Sequence, residues 1–187
     1  RHTRYIGDWS SDVCSSDLVI VAGMGQVGLR LAEELRALGV AVIGIEVKPD
    51  ARTLQLARAG GIPVIVGDAA SRSTLKAARV EEAEALIAAG SAEWDNIAVA
   101  VSSLAIAPNT RLVIRAGTGD AIAETQSLFA IGAVVDVNGL TASFVTNAMT
   151  GLEPYLIVSS GEADLAVDSS GRVTRRLGAI TFRGGAA

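Results

Sequence analysis

The chain has 187 residues, of which 50% are apolar, and its formal net charge is −4. This length is enough for one domain with a sizeable core, and a mildly acidic chain without a basic run argues against nucleic acid as a partner. Its longest apolar runs stop well short of the ~20 residues that a membrane-spanning helix requires, so we expect the visible chain to be soluble.

The first 18 residues, RHTRYIGDWSSDVCSSDL, resemble an in-frame translation of a common sequencing-library adapter. We therefore predict that residues 1–17 are a non-native leader, and that whatever natively preceded Val19, membrane helices included, is missing. His2 and Cys14, the only histidine and cysteine of the chain, both lie in this segment. Without them the sequence offers no disulfide framework and no thiolate ligands, and we predict no metal site.

Residues 18–46, LVIVAGMGQVGLRLAEELRALGVAVIGIE, predict a strand, a glycine turn, a helix and a second strand. Gly23, Gly25 and Gly28 follow the first strand in the spacing G-x-G-x-x-G. In a dinucleotide-binding turn the first glycine permits the tight bend, the second lets a pyrophosphate approach, and the third lets the helix pack on the strand. The amides that open the helix, at Gln26 and Val27, are then expected to face the phosphates, where the helix dipole favours negative charge.

Glu46 follows the second predicted strand, which covers residues 40–45. It stands 18 residues after Gly28 (46 − 28), near the ~20 expected for a carboxylate that accepts the ribose hydroxyls. Such a carboxylate repels a 2′-phosphate, so NAD(H) is favoured over NADP(H), although Lys48 softens that repulsion. ATP or ADP presents the same adenosine and phosphates and stays open as a ligand. We predict contacts at Glu46, Val47 and Lys48; the alternative for Glu46 is an ordinary exposed loop acid.

Beyond Glu46 the sequence alternates helical and strand patterns, which predicts right-handed βαβ units. We expect an α/β fold, with a Rossmann-like, doubly wound, parallel six-stranded sheet over residues 18–150 and a nucleotide at the carboxyl ends of its strands. The remaining predicted elements are a helix at 51–59 with Asp50 as N-cap, a strand at 63–66, a helix from Ser71 or Ser73 to Ala78, a strand at 85–89, a helix at 93–107, a strand at 112–115, a helix at 120–131, a strand at 133–137, and a helix from Asn138 or Thr141 to about Thr150.

Residues 151–187 are predicted to form a small C-terminal β-rich extension. Residues 154–159 (PYLIVS) and 179–182 are strand candidates, and residues 165–174 form a predicted hairpin whose turn is Ser169-Ser170-Gly171. The pair Arg175-Arg176 gives a small basic spot, which we interpret as solvated surface.

Several of these segments together resemble one known family. The resemblance is to the RCK (regulator of potassium conductance) N-terminal, or TrkA-N-type, nucleotide-binding domain. It is carried by VIVAGMGQVG, VIGIE, PVIVGDA, ALIAAG, the pair Asp95-Asn96 that opens the fourth helix, LVIRA and IGAVVDVN, and it covers residues 18–150. It implies a cytosolic regulatory module that binds a nucleotide and gates a potassium channel or a Trk/Ktr-type potassium uptake system.

The resemblance also implies further site residues, which follow the third, fourth and fifth strands. Those after the third strand would border the adenine, those after the fourth would border the second ribose or a phosphate, and the arginine ending the fifth would lie near the phosphates or a subunit contact. In chain order these residues are Gly67, Asp68, Ala69, Ala89, Gly90 and Arg115.

The candidate site favours a sensor over a catalyst. Hydride transfer to a carbonyl usually needs a proton donor near the nicotinamide, such as His, Lys or Tyr. The only histidine lies in the leader, and the two lysines, Lys48 and Lys76, are predicted at the adenine side of the site. We therefore predict no enzyme activity. Two alternatives stay open: a fragment of an NAD-dependent dehydrogenase, and a free-standing redox-sensing regulator.

Two predicted helices, at 93–107 and 140–150, are apolar around most of their circumference. A helix that flanks a sheet should keep a polar outer face, so we predict that both bury their far sides in a homodimer or higher homo-oligomer. The alternative is that they pack only within the monomer. The resemblance adds a membrane potassium channel or transporter subunit as partner. It thereby implies a cytoplasmic domain held at the inner face of the membrane by that partner or by a lost N-terminal membrane domain.

Overall fold

The computed structural model describes residues 18–116, 132–137, 141, 154–159, 163–168 and 173–177. The chain divides into two compact units, Arg1–Val135 and Asp136–Ala187. Strands and helices alternate through the first unit as the sequence predicts. The elements are β1 (Leu18–Ala22), α1 (Gln26–Ala37), β2 (Ala41–Glu46), α2 (Arg52–Ala59), β3 (Val64–Val66), α3 (Arg72–Ala77), a 3₁₀ turn at Val80–Glu82, β4 (Ala85–Ala88), α4 (Glu93–Leu104), β5 (Arg111–Ala116) and β6 (Ala133–Asp136).

The six strands form one sheet in the order β3-β2-β1-β4-β5-β6. The pairs β1–β2, β1–β4, β2–β3 and β4–β5 are all parallel. This is the doubly wound order of a Rossmann-like fold, so the predicted fold class is confirmed. The chain reverses its direction of winding between β1 and β4, and a crevice therefore opens at the carboxyl ends of these two strands.

The central strand β1 is buried on both faces, which explains its unbroken apolar sequence. Ile20 packs into a cluster on one side of the sheet with Leu86 and Ile114, while Val21 packs on the other side with Leu54 and Val64, among others. Full burial of such a side chain contributes about 1.5–3 kcal/mol. The two apolar layers therefore hold β1, and with it the start of the glycine turn, in a fixed position.

The glycine turn begins where α1 comes close to the end of β1. Gly23 has a φ of +91°, a region that favours glycine. A Cβ atom added at Gly28 would overlap the carbonyl oxygen of Gly23, so the third glycine of the motif allows the helix to touch the turn. Gly25 differs, because its φ is −66° and a Cβ built there meets no heavy atom of the described residues within 4 Å.

Several predicted boundaries are corrected by the structure. Asp50 is not the N-cap of α2, because the Ala51 amide closes a turn onto the Lys48 carbonyl at 3.4 Å and Ala51 itself occupies the N-cap. The second strand includes Glu46 as its last residue. The fourth helix ends at Leu104, a turn earlier than predicted. The other strands and helices of the first unit that lie within the described residues agree with their predicted positions to within one or two residues at each end. Helix α1 begins at Gln26, the first of the two residues whose amides are predicted to open it.

Two further predicted helices fall mainly on residues that the structure does not describe. The helix at 120–131 lies outside the described residues altogether. For the helix predicted from Asn138 or Thr141, only Val137 and Thr141 are described, and both are helical. Thr141 Oγ1 donates a hydrogen bond to the Val137 carbonyl at 2.7 Å, a bond that threonine makes from a helical position rather than from an N-cap, while Asn138 lies outside the described residues.

The second unit contains an antiparallel sheet in the order β7-β8-β9. Its strands are β7 (Pro154–Ser159), β8 (Ala163–Asp168) and β9 (Val173–Leu177). Strand β7 and the hairpin of β8 with β9 agree with the predicted β-rich extension, while the turn at 169–171 and the strand at 179–182 lie outside the described residues. No helix among the described residues combines the length and the apolar character needed to cross a lipid bilayer.

We expect Gly28→Ala to destabilise the first unit, because the new methyl group collides with the Gly23 carbonyl. The cost should be about 1–3 kcal/mol, as for other overpacked interiors. Gly25→Ala is the matched control and should cost less than about 1 kcal/mol, a small N-cap effect. Urea unfolding of both variants measures the difference. Equal stability losses would contradict the packing described for Gly28.

Candidate nucleotide-binding site

Gly23 brings together the ends of three strands, β1, β2 and β4, at the crevice. Its amide donates to the Ile45 carbonyl of β2 at 2.9 Å. On its other side, an added Cβ would lie 2.8 Å from the nitrogen and 2.9 Å from the Cα of Gly90, just after β4. The turn therefore packs backbone against backbone, and any side chain at Gly23 would push the ends of β1 and β4 apart.

Glu46 is a buried acid that ties the glycine turn to the end of β2. Its side chain is 8% exposed, so the alternative of an ordinary exposed loop acid is wrong. Oε2 accepts a hydrogen bond from the Met24 amide at 3.0 Å, and Oε1 accepts one from the Lys48 amide at 3.0 Å. A carboxylate oxygen has capacity for a second donor, so both oxygens remain able to accept ribose hydroxyls.

Met24 anchors the same turn from inside the protein. Its side chain is fully buried in the apolar cluster that also holds Val21 and Leu54. It lies so close to β2 that a Cβ added at Gly44 would be 2.7 Å from the Met24 sulfur. Backbone and side chain of this one residue thus attach the turn to Glu46 and to the core.

Two adjacent cavities occupy the crevice, and they share Gly23, Glu46, Val47, Gly90 and Asp95 as walls. The smaller has a volume of about 380 Å³ and is lined mainly by small apolar residues. Its walls also carry three acids. The full lining is Ala22, Gly23, Ile45, Glu46, Val47, Gly67, Asp68, Ala69, Ala70, Gly90, Asp95, Asn96, Ala98 and Val99. Such a cavity suits a flat, weakly polar group better than an anion.

The larger cavity, of about 590 Å³, has the opposite character. The N-termini of α1, α2 and α4 all meet it, and their N-cap residues are Gly25, Ala51 and Ala92, whose side chains carry no hydrogen-bond acceptor. The first-turn amides are therefore left for water or a ligand, and three positive dipole ends converge there. The cationic residues Lys48 and Arg115 line this cavity together with the acids Glu46 and Asp95, so the helix N-termini supply its net positive character. This cavity suits an anion such as a phosphate.

The structure brings the predicted site residues together. Every one of them except Gly28 lines at least one cavity, and Gly28 lies beneath the turn instead. The residues of the larger cavity are Gly23, Gly25, Gln26, Val27, Glu46, Val47, Lys48, Ala89, Gly90 and Arg115, while Gly67, Asp68 and Ala69 line only the smaller. Lys76 was expected at the adenine side of the site, but it is exposed on α3 and lies outside both cavities.

Asn96 is a site residue whose individual role the sequence did not reveal. It is 3% exposed, and its Oδ1 accepts from the Gly90 amide at 2.9 Å. Its Nδ2 donates to the carbonyls of Gly90 and Arg115, each at 2.9 Å. Both polar groups of the Gly90 backbone are therefore already bonded, so a ligand would meet Gly90 through van der Waals contact. The only sequence signal was the position of Asn96 in the Asp95-Asn96 pair.

Glu46→Gln tests the tie between the glycine turn and β2. An amide group presents one donor where two backbone N–H groups need acceptors, so we expect a loss of about 1–3 kcal/mol in unfolding free energy. Glu34→Gln is the control, because Glu34 forms an exposed ion pair with Arg30 at 3.1 Å, and such pairs contribute about 0–1 kcal/mol. Urea unfolding compares the two. A Glu46 variant as stable as its control would contradict the tie.

Comparison with known proteins adds a family to this geometry. The TrkA-N domain family matches residues 19–136. Potassium channel protein 1 of Methanocaldococcus jannaschii is 30% identical over 97 residues, which are 52% of this chain and 29% of that protein. The chain therefore spans less than a third of this relative.

Solved structures share the fold. The TrkA-N domain of the inner membrane protein ybaL from Escherichia coli has a TM-score of 0.63 at 24% identity and covers 74% of this chain and 98% of its own. Shewanella denitrificans Kef CTD in its AMP-bound form gives 0.59 at 20%, with coverage of 72% and 81%. The GsuK channel bound to NAD gives 0.59 at 16%, with coverage of 84% and 28%, and GsuK bound to ADP gives 0.60 at 22%, with coverage of 73% and 35%.

At these identities the structures show likeness of fold, and the family follows from the sequence match. That match extends over more than half of the chain and over the strands and helices that build the crevice. The chain belongs to the TrkA-N domain family.

Proposed function

We propose that residues 18–150 form a regulatory nucleotide-binding module that gates a potassium channel or a Trk/Ktr-type potassium uptake system. The observation that carries the proposal is the larger cavity, where three helix N-termini without capping side chains meet Lys48 and Arg115 beside the buried carboxylate of Glu46. Phosphates are the anions that such a cavity holds best.

Each of the two cavities suits a different part of a nucleotide. Phosphates occupy the larger cavity, and the base occupies the smaller, mainly apolar one between Val47 and Ala69. Glu46 lines both cavities, so its carboxylate stands where the ribose would join base to phosphate. Asp68, the one acid that lines only the smaller cavity, disfavours a phosphate there by charge repulsion.

NAD(H) is the ligand we propose first, with ATP or ADP as the second choice. The Glu46 carboxylate disfavours a 2′-phosphate, which argues against NADP(H). Proteins of the same fold carry NAD and ADP in GsuK and AMP in Kef CTD, and all three ligands present an adenosine monophosphate unit. We expect the same unit to be the common recognition element in this chain.

We further propose that the nucleotide is bound without being consumed. Residues 18–187 contain no histidine or cysteine, and Lys48 follows directly on Glu46 at the ribose position rather than standing over a nicotinamide. A carbonyl substrate would therefore lack a proton donor for its oxygen as the hydride reaches its carbon. The relative from M. jannaschii is a channel protein, which supports a regulatory role and a membrane channel or transporter as partner, with the module at the cytoplasmic face.

A homodimer through α4 is the assembly we propose. Trp94 and Val101 are 68% and 40% exposed, and with Ala98 and Ala105 they form a stripe along the outer side of this helix, which we call the α4 stripe. An exposed apolar stripe of this length is typical of an interface, and a twofold pair places it against its own copy. Of the helix at 140–150, the second predicted contact, only Thr141 lies within the described residues.

Gly25→Val tests nucleotide binding. A Cβ atom at Gly25 meets no heavy atom of the described residues within 4 Å, so the variant should fold. Its isopropyl group would occupy space in the larger cavity that a pyrophosphate needs. We expect NAD and ADP affinity to fall by roughly 100-fold, or about 2.7 kcal/mol, in isothermal titration calorimetry. Gly60→Val, at an ordinary φ of −77° and outside both cavities, is the matched control.

Retained affinity in the Gly25 variant, or nucleotide-dependent reduction of a carbonyl substrate by the wild-type protein, would overturn the proposed function. The second outcome would favour the dehydrogenase alternative instead.

Charge introduced into the α4 stripe tests the dimer. Trp94→Glu and Val101→Glu should each weaken self-association by roughly 30-fold or more, since buried interface anchors contribute about 2 kcal/mol. Leu38→Glu is the control, because Leu38 is 80% exposed and follows α1, which packs on the other side of the sheet from α4. Sedimentation velocity over a concentration series measures the equilibrium. A monomeric wild-type chain, or stripe variants that associate like the control, would contradict the dimer.

A further inference from the structure

Helix α4 contributes residues both to the smaller cavity and to the exposed α4 stripe. Asp95, Asn96 and Val99 line the smaller cavity on its inner side, while Trp94 and Val101 of the α4 stripe are exposed on its outer side. Ala98 belongs to both the cavity wall and the stripe. Because a helix moves as a rigid rod over such a short length, a displacement of the cavity wall must also displace the stripe.

Only one side chain among the described residues of α4 bonds this helix to the ends of two strands. Asn96 receives the Gly90 amide from the end of β4 and donates to the carbonyls of Gly90 and Arg115, the latter in β5. Gly90 in turn touches Gly23 of the glycine turn, because a Cβ on Gly23 would lie 2.8 Å from its nitrogen. A continuous path of close contacts therefore leads from the turn to α4.

We propose that Asn96 is the positioning residue that couples occupancy of the crevice to the α4 stripe. A ligand that enters between the glycine turn and α4 fixes Gly90, and the three hydrogen bonds of Asn96 carry that restraint into the first turn of the helix. This inference rests on the proposed function, since it specifies how nucleotide binding would affect the surface of the domain. It assigns to Asn96 no direct contact with the ligand's reacting or charged groups.

The geometry of these bonds explains why asparagine suits the position. One acceptor and two donors are needed within a single short side chain, and the primary amide supplies both. Aspartate keeps the acceptor for Gly90 but presents an oxygen to the two carbonyls, and serine cannot meet all three partners. Both substitutions should loosen α4 from the strand ends while leaving Glu46 and the glycine turn in place.

Amide hydrogen exchange by NMR, at saturating ADP and separately at saturating NAD, tests the proposal on the full chain. In the wild type we expect nucleotide to slow exchange of the Gly90 amide and of the α4 amides by the same factor, roughly fivefold, because one opening event exposes both. Asn96→Asp and Asn96→Ser are each measured at a nucleotide concentration that calorimetry shows to saturate that variant, because Asn96 also lines the smaller cavity. The effect on α4 should then disappear, whereas the Leu29 amide of α1, which donates to the Gly25 carbonyl, should still be slowed.

Asn109→Asp and Asn109→Ser are the matched controls, because Asn109 is exposed in the turn after α4 and lies outside both cavities. A merely structural role for Asn96 would raise exchange in α4 without ligand but would preserve the slowing by nucleotide, and that result overturns the proposal. If both Asn96 variants fail to fold, the wild-type data are the test. The proposal is overturned if nucleotide slows exchange of the Gly90 amide and of the α4 amides by unequal factors, and it is supported if the two factors are equal.

The same experiments separate this inference from the proposed function. A wild-type chain that binds neither NAD nor ADP in calorimetry overturns the proposed function, and the coupling falls with it. A wild-type chain that binds either nucleotide, but whose α4 exchange does not follow that of Gly90, overturns the coupling only.

Discussion

The close approach of backbone segments around Gly23 is the constraint on which the rest of this domain depends. The end of β1 bonds to β2 through the Gly23 amide, touches β4 at Gly90, and receives α1 at Gly28. The contacts at Gly90 and at Gly28 leave no room for a side chain, so glycines set the distance between β1, β4 and the first helix. Because the strands pack this closely along their length, space for a ligand remains only beyond their carboxyl ends, where the crevice lies.

Two polar side chains extend that constraint across the sheet. Glu46 holds the turn to the end of β2, and Asn96 holds the ends of β4 and β5 to α4. Both are buried, and both bond mainly to backbone groups that strand ends leave unpaired. The same residues thus stabilise the fold and shape the crevice, one half of which suits an anion while the other is mainly apolar.

The sequence predicted the fold, and it predicted which residues line the crevice, because the decisive features are local. A glycine spacing, apolar strands and an acid near the end of β2 lie within 29 consecutive residues, 18–46, and each follows from backbone geometry. The role of Asn96 could not be predicted in this way, since its partners stand 6 and 19 residues away and meet only in the folded sheet. Asp50 failed as an N-cap for a related reason: the preference for aspartate is a small local bias, and the turn from Lys48 to Ala51 decided where α2 begins.

The anchoring of Met24 has a consequence for how the crevice receives any ligand. With its amide on Glu46 and its thioether packed against β2 at Gly44, the loop loses little conformational freedom when it is occupied. Binding of a ligand beside such a loop costs little conformational entropy of the protein, so a modest number of contacts gives useful affinity. A crevice with such a fixed loop favours ligands that match its existing shape over ligands that would require it to rearrange.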